Sequence, residues 1–390
     1  MYILFWTLLT IIIYSYIGYP LLIYVLGIIV RIFSSKNKYN ASNGYEPEVT
    51  LFVAAYNEID FIDIKVDNSF SFDYPQEKIQ HIWITDGSND GTPEALSKYS
   101  NINVFHKPER NGKIGAINRG MNFVKTPIVI FSDANSVLNK EAIQLIINEF
   151  KNPDVGCVAG EKRITSKNKD NAVNAGEGIY WKYESFIKKY ESQLSSALGA
   201  VGELFAIRTE LFDSLEDDTI LDDFIISLRI AQKGYKIKYV PKAFATESAS
   251  VNIHEELKRK TRIAYGGFQA LKRLKGLLNP FKKPLLTFQY LSHKVFRWLF
   301  VPISILLLFF TNLYLAIDEN WKGLYTTIYI LQIIFYFFVI LGAFLQSQKT
   351  NLKFFFAPYY LFMMNLAELI GLVRFIRKKQ SVNWERAKRI

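Results

Sequence analysis

Three stretches of this chain carry no charged side chain at all: residues 1–30, 298–317 and 323–348. At 1.5 Å per helical residue, roughly 20 apolar residues cross the hydrocarbon core of a bilayer, and each stretch reaches that length. A fourth apolar run, 354–373, is interrupted by Pro358, Asn365 and Glu368. Residues 46–290 have the mixed composition of a water-soluble domain, so the pattern is a soluble insert held between membrane segments. Half of the 390 residues are hydrophobic, which excludes a disordered chain, and the long apolar runs exclude a purely soluble one.

Charge then orients the segments. The net charge is +11, and 258–297 alone holds eleven Lys or Arg and no acid. A second basic group, Arg374, Arg377, Lys378 and Lys379, follows the last apolar run. Basic clusters beside membrane-length segments fit anionic lipid at a cytosolic face better than nucleic acid, which is not expected as a partner. The first segment has cations only after it, Arg31, Lys36 and Lys38, which predicts an outside N-terminus and a cytosolic insert. That segment is too long, and too poor in preceding positive charge, for a cleaved signal peptide; Gly18-Tyr19-Pro20 within it predicts a kink. The expected order is a transmembrane helix at 1–33, a cytosolic domain at 46–280 and an amphipathic interface helix at 281–297. Transmembrane helices at 298–317 and 324–346, a segment at 354–373 and a basic tail at 374–390 follow. Three full C-terminal spans would leave the tail outside, against the positive-inside rule. So 354–373 is expected to lie in the interface or re-enter, with three true spans and an outside tail as the alternative. High Lys, Asn and Ile content and the lack of a eukaryotic targeting signal fit a bacterial plasma membrane. A single cysteine, Cys157, and four scattered histidines exclude a disulfide framework and a Cys- or His-rich metal site.

Within the insert, strand-like runs at 49–55, 79–85, 102–106, 128–132 and 156–160 alternate with helix-like runs at 58–68, 92–99, 113–123 and 140–150. That alternation predicts an α/β domain with a mostly parallel sheet and helices on both faces. Ligands bind such sheets beyond the carboxyl ends of the strands, and four strands end in polar residues. They are followed by Tyr56-Asn57-Glu58, by Asp86-Gly87-Ser88-Asn89-Asp90-Gly91, by Arg110-Asn111-Gly112-Lys113 and by Asp133-Ala134-Asn135. Each alone reads as a turn and an N-cap; the four in order point to a ligand site. Further on stand Gly202-Glu203, Leu221-Asp222-Asp223-Phe224, Arg259-Lys260-Thr261-Arg262 and Ser292-His293-Lys294 ahead of Arg297-Trp298.

This succession resembles, over nearly the whole chain, the membrane-integrated glycosyltransferase family 2, which includes cellulose, hyaluronan and poly-N-acetylglucosamine synthases. The resemblance implies a GT-A nucleotide-diphospho-sugar transferase domain with a mostly parallel mixed sheet. It assigns Tyr56, Asn57, Glu58 and Asp86 to the nucleoside of a UDP-sugar donor and puts Lys113 near the nucleotide or sugar, its alternative being a solvated lysine at a helix start. Asp133 and Asn135 occupy the family's Asp-x-Asp position, implying a Mg²⁺ or Mn²⁺ ion on the diphosphate. The amide brings one charge less, and Asn135 is open to standing outside the coordination. Asp223 matches the catalytic base and Asp222 the Glu of the family's Glu-Asp pair, implying single displacement with inversion; the alternative is that both only cap a helix at 224–233.

Gly202 and Glu203 fall at the acceptor site, and Arg259 and Arg262, sharing a helical face, at the diphosphate. Polymer-making members carry Gln-x-x-Arg-Trp where this chain has Arg259-x-x-Arg262-Ile263, so long-chain processivity is in doubt and a lipid acceptor gains weight over a growing glycan. The aromatics of 171–194, Trp181, Tyr183, Phe186 and Tyr190, read as packing more than as sugar platforms, and Trp384 and Arg386 resemble a C-terminal gating element. The expected partners are a UDP-sugar donor, a glycan or lipid acceptor, anionic membrane lipids and other polysaccharide-synthesis subunits. A non-catalytic nucleotide-binding scaffold is the competing class.

Overall fold

The computed structural model describes residues 1–33, 44–165, 172–248, 252–347 and 353–380. Its centre is one sheet of eight strands: β1 Val49–Ala55, β2 Ile79–Asp86, β3 Asn103–Lys107, β4 Ile128–Asp133, β5 Val137–Leu138, β6 Val155–Thr165, β7 Phe205–Arg208 and β8 Lys236–Ser248. The spatial order is β3-β2-β1-β4-β7-β6-β8-β5. The first four neighbours run parallel; β7 is antiparallel to both β4 and β6, β6 and β8 are parallel, and β5 closes the edge antiparallel to β8. Because Ala55 pairs with Thr85 and Ala54 with Asp133, the polar tips of β1, β2 and β4 emerge along one edge of the sheet.

Both sheet faces are covered, which is why β1 is apolar at nearly every position. Leu51, Val53 and Ile130 face one buried layer and Phe52, Ile84 and Phe131 the other. The Gly112–Met121 helix lies so close to the second face that a Cβ on Gly120 would fall 2.4 Å from the Phe52 ring and 2.6 Å from Ile84.

β1 to β4 fall where the alternation puts them, and the strand at 156–160 is the middle of a longer β6. The fourth helix spans Ala142–Glu149, the first is shortened to Ile62–Ser69 behind a single 3-10 turn, and the second ends at Leu96. β5 and β8 were not marked by the sequence pattern, because β8 alternates apolar residues with Lys236, Lys238 and Lys242 and carries Pro241.

Four helices are long and apolar enough to cross a membrane: Tyr2–Phe33, Pro284–Asp318, Gly323–Gln346 and Phe356–Ile376. The segments expected as separate interface and membrane helices at 281–297 and 298–317 are one uninterrupted helix from Pro284, with a π-helical stretch at Leu291–Phe300. The first helix passes through a π-helical turn, Tyr14–Gly18, just before Pro20, the local irregularity that Gly18-Tyr19-Pro20 led one to expect. At its start, Trp6 Nε1 donates to Tyr325 Oη at 3.1 Å. Its second half docks on the soluble domain, where Tyr19 Oη donates to Glu191 at 2.6 Å and Tyr24 stacks on Phe186.

The Lys353–Ile376 helix lies lengthwise along the Ile253–Arg273 helix. Tyr360 Oη donates to Glu256 at 3.2 Å, Gly371 meets Ala264, and the rings of Phe375 and Tyr265 are 5.7 Å apart. Trp384 and Arg386 lie outside the described residues.

Candidate active site

Two cavities open beyond the strand tips, and Lys113 and Asp133 belong to the walls of both. The smaller, about 50 Å³, is bounded by Tyr56, Glu58, Asp86, Arg110, Ala134 and Asn135. The larger, about 730 Å³, runs past Gly202, Glu203, Asp222 and Asp223 toward the membrane helices.

In the small cavity Asp86 is buried at the end of β2. Its Oδ2 accepts the backbone N–H groups of Asn111 (2.7 Å) and Gly112 (2.6 Å), while Oδ1, with Arg119 3.9 Å away, has no hydrogen-bond partner. Burial raises the pKa of this carboxyl, and the two backbone donors oppose the rise. Gly87 adopts φ +68°, and a Cβ there would sit 2.7 Å from that of Arg110, so only glycine fits this turn. The Arg110 guanidinium lies 3.9 Å over the Tyr56 ring. Asn57, at φ +53°, exchanges side-chain bonds of 2.9 and 3.0 Å with Asn89 and ties the β1 loop to the β2 loop. It stands outside the cavity lining, whereas Tyr56, Glu58 and Asp86 contribute to it.

The turn after β4 is held from below by a lysine that the sequence analysis passed over. Lys65 is fully buried and donates to Ser132 Oγ at 2.6 Å and to the Ser136 carbonyl at 2.7 Å. Burial pushes its pKa down to about 7, against the pull of Asp133. Asn135 is buried too, and its amide nitrogen has no hydrogen-bond partner in the wall of the small cavity.

Lys113 is not a solvated helix-start residue. Its Nζ lies 3.0 Å from Asp133 Oδ1 and 3.2 Å from Asp222 Oδ2. Burial works against the charge, but Asp133, Asp222 and Asp223 outweigh it and hold its pKa above the usual lysine range. The missing side chain of Gly202 locates the junction: a Cβ there would be 3.4 Å from Lys113 Nζ, 3.7 Å from Asp223 Oδ2 and 3.9 Å from Asp133 Oδ2.

Asp222 and Asp223 open the Asp222–Lys233 helix, and Leu221 takes the cap position with no side-chain bond. Capping is therefore a minor part of what these acids do: Asp223 Oδ1 accepts the Phe224 N–H at 2.8 Å, while Asp222 faces Lys113. Burial first, and then the Asp222 charge, push the Asp223 carboxyl from 3.8 to about 7, with Lys113 opposing.

Glu203 pairs with Lys162, which also binds Glu247, and oxygens of Asp133, Glu203 and Glu247 lie within 4.8 Å of one another. Lys162 and Glu247 were missed because a lysine and a glutamate on alternating strands read as surface residues.

The two arginines part company. Arg259 is held by Glu256 at 2.9 Å and by Glu177, and these carboxylates keep its pKa above the usual range against the effect of burial. Arg262 has no ion pair among the described residues and leaves Nε unbonded; burial lowers its pKa, with Asp222 opposing. The guanidinium placed to meet an anion is thus that of Arg262. Of the aromatics, Phe186 and Tyr190 pack on Tyr24, while Trp181 and Tyr183 reach the large cavity. Trp298, from the Pro284–Asp318 helix, also lines it, 5.4 Å from the Phe224 ring.

A carboxyl poised near neutrality, an ammonium held among acids and oxygen ligands for a hard cation suit proton removal beside a departing anion. Residues 50–215 match the family model "Glycosyl transferase family 2". The chain is 29% identical over 235 residues to the poly-beta-1,6-N-acetyl-D-glucosamine synthase of Staphylococcus aureus strain MSSA476, covering 58% of this chain and 56% of that protein. It is 27% identical over 266 residues to the Staphylococcus epidermidis enzyme of the same name, covering 64% and 63%. The alignments thus span a little over half the length of these relatives. Among solved structures, a mannosyltransferase from Pyrobaculum calidifontis, in complex with GDP-Man and Mn²⁺, superposes with a TM-score of 0.68 and 21% identity over 97% of this chain and all of the other. The chain accordingly carries a glycosyl transferase family 2 domain of GT-A fold, set between helices long and apolar enough to cross a membrane.

Proposed function

We propose that the protein is an inverting glycosyltransferase that takes a UDP-sugar at the cytosolic face of a bacterial plasma membrane. It forms a β-linkage in a cell-surface polysaccharide or glycolipid. The observation that carries this reading is the placement of Asp223, with a pKa near 7, within reach of Lys113 and Asp133 where the two cavities meet. Likeness to the staphylococcal synthases supports the product class.

In this reading the small cavity receives the nucleotide. The unpartnered Asp86 Oδ1 is an acceptor for the base or ribose, and the Arg110–Tyr56 pair forms one wall. Asp133 with the Asn135 amide, beside Glu203, fits a hard divalent cation by donor type, and Mg²⁺ or Mn²⁺ held there would stabilise negative charge on the departing diphosphate. Arg262 and Lys113 add fixed positive charge on the same side. Asp223, as carboxylate, takes the acceptor hydroxyl proton while that oxygen bonds to the anomeric carbon; the bond to the diphosphate oxygen breaks, and UDP leaves with the electron pair. Attack from the face opposite the leaving group inverts the configuration. The basic surface around the helices suits anionic lipid.

The test is UDP release by the full chain in lipid nanodiscs across a panel of UDP-sugars, with Mg²⁺ or Mn²⁺ and with EDTA. Release with one sugar, abolished by EDTA, is expected. UDP binding without release on any sugar, even with added membrane lipids, would transfer support to a nucleotide-binding scaffold.

A further inference from the structure

The large cavity does not end at the reaction junction. Beyond Asp223 it is walled by Lys188 and Lys294 and then by Tyr16, Leu361 and Met364 of the membrane helices. Its volume of about 730 Å³ lies in the upper part of the range for bound small molecules, roughly 300–1,000 Å³, and leaves room beyond one sugar unit.

Charge along this path is unbalanced. Glu184 accepts from Arg297 at 2.6 Å and has Lys294 at 3.5 Å; Glu191 is bonded to His293 Nδ1 at 2.7 Å and to Tyr19 Oη. Lys188, from the same Ala172–Leu194 helix, is 5% exposed and has neither a hydrogen bond nor an ion pair among the described residues. Its burial and the neighbouring Lys294 ammonium lower its pKa. A buried cation with no partner is costly unless something anionic comes to it.

We infer that this end of the cavity is a subsite for the anionic head group of an amphiphilic acceptor, a phosphate ester on an alkyl chain, with Lys188 as its counter-charge. The order of groups favours that occupant over a neutral glycan: apolar membrane-helix side chains, then the cations, then Asp223. A phosphate at Lys188 would let the alkyl chain stay among the membrane helices while the sugar or hydroxyl beyond it reaches the base. The word acceptor rests on the transferase reading; the binding site does not.

Binding is therefore the readout. The full chain in phosphatidylcholine nanodiscs is titrated with octyl phosphate, octanol, inorganic phosphate and a neutral disaccharide, following the fluorescence of the cavity tryptophans Trp181 and Trp298. Octyl phosphate is expected to bind the wild type about tenfold or more tightly than Lys188→Met, the scale of one charge-assisted contact. Lys188→Arg should keep most of the affinity, and octanol should not distinguish the variants. Should Lys188→Met also lose UDP binding, Lys188→Gln takes its place in the comparison. The inference is overturned if variants that still bind UDP take octyl phosphate as well as wild type, or if octanol binds equally. It is overturned too if inorganic phosphate alone binds as tightly, or if only the disaccharide binds in a Lys188-dependent way. Any of these leaves the transferase reading intact, whereas Lys188-dependent binding in a chain that transfers no sugar would retire that reading alone.

Discussion

Replacing Asp223 by asparagine should abolish turnover and at the same time stabilise the protein in alkaline solution. A rise from 3.8 to about 7 in the folded state corresponds to roughly 4 kcal/mol against the ionised form, an upper figure because Asp222 and Lys113 share the same charges. The folded state holds the proton more tightly than the unfolded one, so the contribution to stability falls as pH rises from about 4 to about 7 and stays lost above that. An asparagine carries no such charge. The variant should therefore match wild type in thermal midpoint near pH 4 and exceed it at pH 8, with its melting less dependent on pH in between. Turnover should fall by about 10²–10⁴-fold, as for loss of a general base. Wild-type rate should drop about tenfold per pH unit below pH 7, with UDP binding retained in both. Thermal unfolding in nanodiscs across pH, run beside UDP release, reads both effects. Retained turnover, or a variant less stable than wild type at pH 8, would refute the assignment of a buried, proton-accepting carboxylate.

Asn135→Asp adds the second carboxylate that the family pattern carries; Mn²⁺ binding followed by electron paramagnetic resonance should tighten by roughly 3–10-fold, and no change would put Asn135 outside the coordination. Gly120→Ala forces a methyl to within 2.4 Å of the Phe52 ring. The overpacking, about 1–3 kcal/mol, exceeds the gain of about 1 kcal/mol in helix propensity, so the thermal midpoint should fall, and a more stable variant would mean the helix can lift off the sheet.

The parallel half of the sheet was legible because its strands are buried on both faces and so are written as plain apolar runs, and because ligand-facing residues there follow strand ends directly. Asp86, Asp133 and Asp223 could be picked out on that ground together with the family likeness. β8 was not legible: its lysines and Pro241 look like a surface loop, and only its pairing with β6 makes it a strand. Nor were Lys65, Lys162 and Lys188, since a lone lysine in a sequence is by default a surface charge, and what buries these three is a carboxylate, a hydroxyl or a cavity supplied from far along the chain. The split between Arg259 and Arg262 was invisible for the same reason. Spacing puts both on one face, but Glu177, 82 residues earlier, decides which of them is occupied.

The lengthwise contact between the Lys353–Ile376 and Ile253–Arg273 helices has a consequence for how such a chain can change over evolutionary time. At Gly371 the two backbones all but touch, with a would-be Cβ 2.5 Å from that of Ala264 and 3.0 Å from the Tyr265 nitrogen. One inserted residue turns everything after it by about 100° about the helix axis, which would carry Gly371 off this seam and drive a bulky neighbour into it. Insertions and deletions within this paired region are thus closed to the lineage unless they come in whole turns, and length variation among descendants should collect in the connections on either side.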